Sequence, residues 1–197
     1  MKHPRNVGWG EIGLDYHYDL SPRDVQREVF ARQLRHAVRL GKPLTIHTRE
    51  AEEDTERILK AEVPKDYKIH IHCFTDTPDF AKRLLEHFPN LYIGITGVIT
   101  YTTNLNTSAV IQHLVSTGDP RLRIVLETDA PFMVPGNIYK SIPSLGKSGT
   151  RLPLCHTAML PWTAEFIANV AKEAGADYDT NRIMTEAREN AKLMYGV

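Results

Sequence analysis

The chain has 197 residues, of which 42% are hydrophobic and 24% are charged, and its 24 Lys and Arg balance 24 Asp and Glu. This composition is typical of a globular domain and excludes a disordered chain or a basic nucleic-acid-binding tail. No apolar run approaches the roughly 18 residues of a membrane span, and the start has no apolar secretory core, so we expect a cytoplasmic or nuclear protein that is not secreted. Cys73 and Cys155 are too few for a disulfide framework or a cysteine-based zinc site.

Short apolar or β-branched segments alternate with helical patterns along the whole chain. The strand patterns predict strands at 7–12, 43–47, 68–72, 91–96 and 122–127. The helical patterns predict helices over about 22–40, 50–61, 77–88, 105–116, 160–174 and 181–194. This alternation predicts right-handed βα units around a parallel sheet or barrel.

Two features complicate a simple barrel. The segment 130–157 is rich in proline and too long for an ordinary connector, which is typical of a functional loop. A closed (β/α)8 barrel needs about eight strands and about 250 residues. We therefore expect one α/β domain over residues 1–197, with about five parallel strands of a TIM-barrel-like fold that is N-terminally incomplete.

Four residues of metal-ligand type occupy equivalent points of the predicted βα units. Glu11 ends the first predicted strand, His47 the second and His72 the third, while Asp129 follows the fifth. Because the C-terminal ends of parallel strands converge in such a fold, we expect all four at one rim. Each residue alone also fits a capping or packing role. Together, two imidazoles and two carboxylates favour a site for a divalent ion such as Zn, Mn or Mg, with positions left open for water and substrate.

A further histidine, His70, lies on the same predicted strand as His72. We expect one of the two to face the barrel interior and the other to face the helices. On this reasoning His70 is the structural one. The remaining histidines fall in predicted loops or on helix faces, and we assign them no function.

Five segments resemble, in order and spacing, the motifs of one known family, the TatD family of metal-dependent deoxyribonucleases. They are GEIGLDY (10–16), PLTIHTREA (43–51), IHCFT (71–75), ETDAPF (127–132) and ARENAKLMYG (187–196). The similarity covers essentially the whole chain. It implies an irregular TIM barrel of the metallo-dependent hydrolase type, which hydrolyses phosphodiester bonds in DNA, often from the 3′ end, with one or two divalent ions.

The resemblance also implies a role for each of the four ligand-type residues. Glu11 would bridge two metal ions or anchor one, and His47 and His72 would complete the shell of one ion. Asp129 would bind the other ion or orient the attacking water, so Glu11 and Asp129 are also predicted to be catalytic. A bound ion lowers the pKa of water and neutralises charge on phosphoryl oxygens, which suits phosphodiester cleavage.

Several basic residues are candidates for contacts with the substrate. Arg49 lies two residues after His47, so we predict that it contacts a phosphate of the DNA. Solvated surface charge is the alternative. The long segment 130–157 offers the weaker candidates Lys140, Lys147 and Arg151.

The sequence departs from the family pattern at its start. Family members open with a strand that carries a His-x-His pair, whereas this sequence starts at the unit that contains Glu11, and its only such spacing is His70 to His72. The departure fits a fragment or misplaced start codon, which we favour, a short isoform, or a noncatalytic remnant. Two other functions therefore stay open. One is a noncatalytic TatD-like interaction module, and the other is a related metallohydrolase acting on ester or amide bonds.

Overall fold

The computed structural model describes residues 3, 5–118, 121–142, 144–145 and 151–197. The chain forms two compact units. The first unit consists of Met1–Ile93 with Asn190–Val197, and the second unit consists of Gly94–Glu189. The strands follow one another in chain order, and those with a resolved register pair in parallel. No helix in the described part of the chain is long and apolar enough to cross a membrane.

Three βα units build the first unit. Its elements are β1 (Trp9–Asp15), α1 (Arg23–Arg39), β2 (Leu44–Arg49), α2 (Glu52–Glu62), β3 (Ile69–Ile71), α3 (Pro78–His87) and the start of β4 (Leu91–Ile95). The end of the last helix of the chain also belongs to it. One face of β2 and β3 is buried without exception, and its residues are Leu44, Ile46, Ile69 and Ile71. The opposite face of β2 carries Thr45 and His47, which are only half-buried and therefore available for chemistry.

A local signal explains where α3 begins. The side chain of Thr77 accepts a hydrogen bond from the Phe80 backbone N–H at 3.4 Å, and Pro78 occupies the first turn. The buried face of α3 then consists of Phe80, Ala81, Leu84 and Leu85. Such a continuous apolar stripe fixes the helix against the core.

The second unit is assembled around the end of β4. Its further elements are α4 (Asn106–Ser116), β5 (Ile124–Leu126), α5 (Ile138–Ser141), α6 (Leu160–Glu173) and most of α7 (Thr180–Tyr195), with 3-10 turns at Gly97–Thr100 and Thr157–Met159. The Glu127 N–H donates to the Ile95 carbonyl at 3.1 Å, which places β5 beside β4. Ile138 and Cys155 of the predicted long connector form a small apolar core with Met159, which follows the connector. That segment is therefore partly folded, although no helix was predicted in it.

The α/β class with five strands in βα units is as predicted, and every predicted strand and helix occurs within three residues of its predicted bounds. The largest displacement is in β1, which we predicted over 7–12 and which runs to Asp15. This displacement changes the position of Glu11 in its strand.

Candidate metal centre

Three of the four predicted ligands meet in the first unit. Oε1 of Glu11 lies 3.0 Å from Nδ1 of His47, and Oε2 of Glu11 lies 3.9 Å from Nε2 of His72. The three side chains come from β1, from β2 and from the residue that follows β3. One carboxylate thus faces two imidazoles from neighbouring strands.

The predicted positions of these ligands within their strands were partly wrong. His72 follows β3 directly, but His47 lies two residues before the end of β2, and Glu11 lies near the start of β1 rather than at its end. The pairing of β1 with β2 continues to Asp15 and Arg49, so both strands end later than predicted. β1 also contains a bulge. Trp9 pairs with Leu44 and Ile12 pairs with Ile46, so β1 contains one residue more than β2 between these two pairs. A bulge redirects the side chains around it, here including the carboxylate of Glu11.

The two glycines of the GEIG segment allow β1 to approach β2 closely. A Cβ atom on Gly13 would lie 1.8 Å from the carbonyl oxygen of His47, and one on Gly10 would lie 2.6 Å from Cβ of Thr45. Neither distance is tolerable, so only glycine fits at these two positions. The GEIG motif therefore supplies both a ligand-type residue, Glu11, and the glycines that let β1 lie close to β2.

A second carboxylate, Asp15, holds His47 from the other side. Its Oδ2 lies 3.2 Å from Nε2 of His47, and its Oδ1 accepts the backbone N–H groups of His17 and Tyr18 at 3.0 and 2.9 Å. This is the arrangement by which a carboxylate fixes the orientation of a metal-binding imidazole. Sequence reasoning missed Asp15, although it lies four residues after Glu11 on the same face of the strand.

The two carboxylates and the imidazole shift one another's pKa. The hydrogen bond that the His47 ring donates to Glu11 is the main cause that raises the pKa of His47, and Asp15 adds to it while burial opposes it. Burial alone would raise the pKa of Asp15, but the backbone N–H of Tyr18 and the imidazole of His47 outweigh it and lower that pKa. The raised pKa of His47 means that metal binding, which needs an unprotonated ring nitrogen, becomes harder as the pH falls.

The expectation that His70 and His72 face opposite ways is wrong. Side chains alternate along a strand with a period of two, so residues two apart share a face. Their rings lie edge to face with centroids 6.3 Å apart. Nδ1 of His70 lies 2.7 Å from the hydroxyl oxygen of Tyr195, which also lies 2.8 Å from Oγ1 of Thr45. His70 is therefore a buried neighbour of the ligand cluster, tied to the end of α7.

The donor set fits a divalent ion. Ligand atoms placed tetrahedrally at about 2.0 to 2.2 Å from an ion lie about 3.4 Å from one another. Oε1 of Glu11 lies 3.0 Å from Nδ1 of His47 and Oε2 lies 3.9 Å from Nε2 of His72, one separation below this value and one above it. Two imidazole nitrogens and a carboxylate are ligands that Zn and Mn accept, and three ligands leave positions open for water and substrate.

Asp129, the fourth predicted ligand, lies after β5 in the second unit. It is half-buried, and its carbonyl oxygen accepts the Phe132 N–H at 2.8 Å. Burial is the main cause of the raised pKa of the nearby Cys155 thiol, and the negative charge of Asp129 is a smaller cause. Its place beside Glu11, His47 and His72 stays a prediction.

The predicted phosphate contact Arg49 shares a face of β2 with His47, because the two are two residues apart in the strand. Its guanidinium carbon lies 5.1 Å from the centroid of the Tyr18 ring. Of the weaker candidates, Lys140 is exposed on α5 and Arg151 stacks on Tyr139 at 5.2 Å. Lys147 lies outside the described residues.

One more carboxylate near the cluster had no signal in the sequence. Asp76, in the loop after β3, accepts hydrogen bonds from the Glu50 backbone and the Thr48 hydroxyl. Burial, and then the negative charge of Glu52, raise its pKa to about 6. Such a shift needs the folded environment and leaves no pattern in the sequence.

The parallel βα units give the chain a TIM-barrel-like α/β fold, and the cluster of Glu11, His47 and His72 on or just after its first three strands is of the kind found in metal-dependent hydrolases. Solved structures share this fold. The TatD homologue YJJV of Escherichia coli K12 gives a TM-score of 0.75 at 23% identity, over 97% of this chain and 64% of that chain. An uncharacterised amidohydrolase from Saccharomyces cerevisiae gives 0.73 at 20% identity, over 94% of this chain and 64% of that chain.

The model of the TatD related DNases matches residues 1–196, so the chain belongs to the TatD family and the resemblance of its motifs is confirmed. The human 3′-5′ RNA nuclease TATDN2 is 43% identical over 198 aligned residues, which are 100% of this chain and 24% of that protein. The metal-dependent hydrolase YabD of Bacillus subtilis, itself uncharacterised, is 36% identical over 68% of this chain and 49% of its own length. The 3′-5′ ssDNA/RNA exonuclease TatD of Erwinia tasmaniensis is 36% identical over 76% of this chain and 56% of its own length. The chain thus spans between about a quarter and just over half of these relatives.

Proposed function

We propose that this chain carries the catalytic site of a metal-dependent hydrolase of the TatD type, which cleaves phosphodiester bonds of nucleic acid from the 3′ end. The observation that carries the proposal is the Glu11 carboxylate between Nδ1 of His47 and Nε2 of His72. Membership of the TatD family supports it, as do the relatives that are named 3′-5′ nucleases and metal-dependent hydrolases.

The substrate we propose is DNA, as the sequence motifs predict. RNA is a second candidate, because the relative that matches the whole chain at 43% identity is named an RNA nuclease. The phosphodiester and its charge are the same in both, so the metal centre itself does not distinguish them. The contacts to sugar and base decide between them.

The proposal assigns a role to each of the site residues. Glu11, His47 and His72 hold a divalent ion, Mg, Mn or Zn, and Asp15 keeps the His47 ring in position. The ion, when bound, lowers the pKa of water and offsets charge on the phosphoryl oxygens. Asp129 is proposed as a further ligand or as the group that orients the attacking water. Arg49 is proposed to bind a substrate phosphate through its planar fork of N–H donors.

Residues 1–197 are proposed to form a single TatD-like domain, which the family match over residues 1–196 supports. A second ion, bridged by Glu11, remains part of the proposal. The cytoplasmic or nuclear location also stays a prediction.

The experiment is cleavage of a 5′-labelled single-stranded DNA and of an RNA of the same sequence, with Mg²⁺ or Mn²⁺ and with a chelator. The parent chain is compared with His72→Ala, and with His87→Ala as a control at the far end of α3. We expect a ladder of 3′-shortened products from the parent and from His87→Ala, and none from His72→Ala or with chelator. Equal cleavage by His72→Ala would contradict the assigned site. A folded parent chain that binds no metal and cleaves neither substrate would support the noncatalytic alternative.

A further inference from the structure

The loop after β1 exposes an aromatic ring beside the candidate metal centre. Tyr18 is 62% exposed and Leu20 is 93% exposed. With Asp15, Ser21 and Gln26 they line a shallow depression. Large apolar side chains exposed together next to a polar site often mark a binding surface.

The backbone of Tyr18 is held by Asp15, the carboxylate that also contacts His47. Its backbone N–H donates to Oδ1 of Asp15 at 2.9 Å, and Oδ2 of Asp15 lies against His47. The His17 ring packs edge-on against Tyr18 at 5.0 Å, and His17 is held by Glu50 at 2.7 Å. The Tyr18 ring is thus open to solvent, while Asp15 holds its backbone and His17 contacts the ring itself.

Arg49 completes this surface with a positive charge. Other arginines of the first unit face carboxylates, as Arg23 does with Asp19 at 3.1 Å and Arg35 with Glu62 at 2.7 Å. Among the described residues Arg49 has no carboxylate partner, and its guanidinium instead lies over Tyr18 at 5.1 Å. An arginine whose charge is not neutralised, placed two residues from a ligand of the metal cluster, is suited to bind an anion.

We propose that Tyr18 and Arg49 form a nucleotide subsite in which an unpaired base stacks on the Tyr18 ring and the adjoining phosphate binds Arg49. Aromatic rings that alternate with cations are the usual way in which proteins hold single-stranded nucleic acid, because every base has a face that can stack. The subsite selects an unpaired end, since a base inside a duplex has no free face for the ring. This inference rests on the proposed nuclease function and identifies residues that position its substrate.

The test uses equilibrium binding, so that it does not depend on catalysis. The fluorescence anisotropy of a labelled thymidine oligonucleotide is followed with the parent chain and with Tyr18→Ala, Tyr18→Phe and Arg49→Ala, in a chelating buffer. An oligomer of abasic sugars of equal length supplies the same phosphates without bases. Leu105→Ala, at an exposed apolar residue of the second unit, is the control for surface changes.

We expect the parent chain to bind the thymidine oligomer about tenfold more tightly than the abasic one, from stacking on a single ring. Tyr18→Ala should remove this preference, and Tyr18→Phe should keep it because stacking needs the ring and not the hydroxyl. Arg49→Ala should weaken binding of both oligomers equally and reduce the salt dependence by about one ion.

The inference is overturned if Tyr18→Ala binds both oligomers as the parent does, or if it weakens both to the same extent. Failure of the nuclease proposal looks different, because it appears as absent cleavage in the separate activity assay. If the chain discriminates between the oligomers but cleaves no substrate, the subsite inference stands and the nuclease proposal is wrong.

Discussion

Replacing Asp76 with asparagine should stabilise the folded chain at neutral pH, and the gain should grow as the pH rises from about 4 to about 6. Burial, and then the charge of Glu52, raise the pKa of Asp76 from its ordinary 3.8 to about 6. Between these values the unfolded chain has lost the proton and the folded chain still holds it. A group whose pKa is raised by folding in this way destabilises the folded state above that interval.

The magnitude follows from the two pKa values. At about 1.36 kcal/mol for each pH unit of the interval, the ionised Asp76 costs the folded state about 3 kcal/mol above pH 6. Its Oδ2 is buried and accepts no hydrogen bond within the described chain. An asparagine keeps an acceptor for the Thr48 hydroxyl and the Glu50 N–H, and it carries no charge to be desolvated.

The assay is urea unfolding of the parent chain and of Asp76→Asn at pH 4.5 and at pH 8, with chelator present in both. Asp79→Asn is the matched control, because the Asp79 side chain is 81% exposed and lies only three residues further on. The stability difference between Asp76→Asn and the parent should be much larger at pH 8, and Asp79→Asn should show no such dependence. A difference of equal size at both pH values, or a loss of stability at pH 8 alone, would refute the reasoning.

Three further substitutions test the geometry of the site and the core. Asp15→Asn removes the charge that orients His47. Calorimetry should therefore record an affinity for Mn²⁺ or Zn²⁺ about 10 to 100 times weaker, while the circular dichroism spectrum stays unchanged. An unchanged affinity would contradict the role of Asp15. Gly13→Ala places a Cβ atom 1.8 Å from the carbonyl of His47, so the variant should unfold at a much lower urea concentration than the parent, and a normal midpoint would show that β1 pairs differently. Phe80→Ala empties a fully buried position that stacks on Phe74, and it should lower the unfolding free energy by about 3 to 5 kcal/mol, whereas a loss below about 1 kcal/mol would contradict its place in the core.

The order of strands and helices could be predicted from the sequence because its signals are local. Alternation of apolar segments locates β2 and β3, and the cap at Thr77 followed by Pro78 locates α3. The resemblance of the motifs likewise singled out His47 and His72. Both follow from patterns that a few consecutive residues carry.

Most of what the sequence analysis missed depends on contacts with other parts of the chain. The sequence analysis placed Glu11 at a strand end, whereas the pairing of β1 with β2 continues to Asp15, which pairs with Arg49. The raised pKa of Asp76 depends on burial and on Glu52, which lies 24 positions earlier in the chain. The error over His70 has another source, because the period of two already places it on the face of His72.

The role of Asp15 could in part have been predicted from the sequence. It shares the face of Glu11 and Gly13 on one strand, and a carboxylate there can meet an imidazole on the next strand. What the sequence lacked was the register, in which Gly13 pairs with His47. A register is set by the whole sheet, and a shift of one residue would have turned Asp15 to the opposite face.

The central claim is that Glu11, His47 and His72 hold a divalent ion. The most direct measurement is an anomalous-diffraction map of crystals of the chain soaked in Mn²⁺ or Zn²⁺. The account predicts a peak about 2.0 to 2.2 Å from an oxygen of Glu11, from Nδ1 of His47 and from Nε2 of His72, and no such peak in crystals of His72→Ala. A peak elsewhere in the chain, or none between these three side chains in the soaked parent crystals, would contradict it.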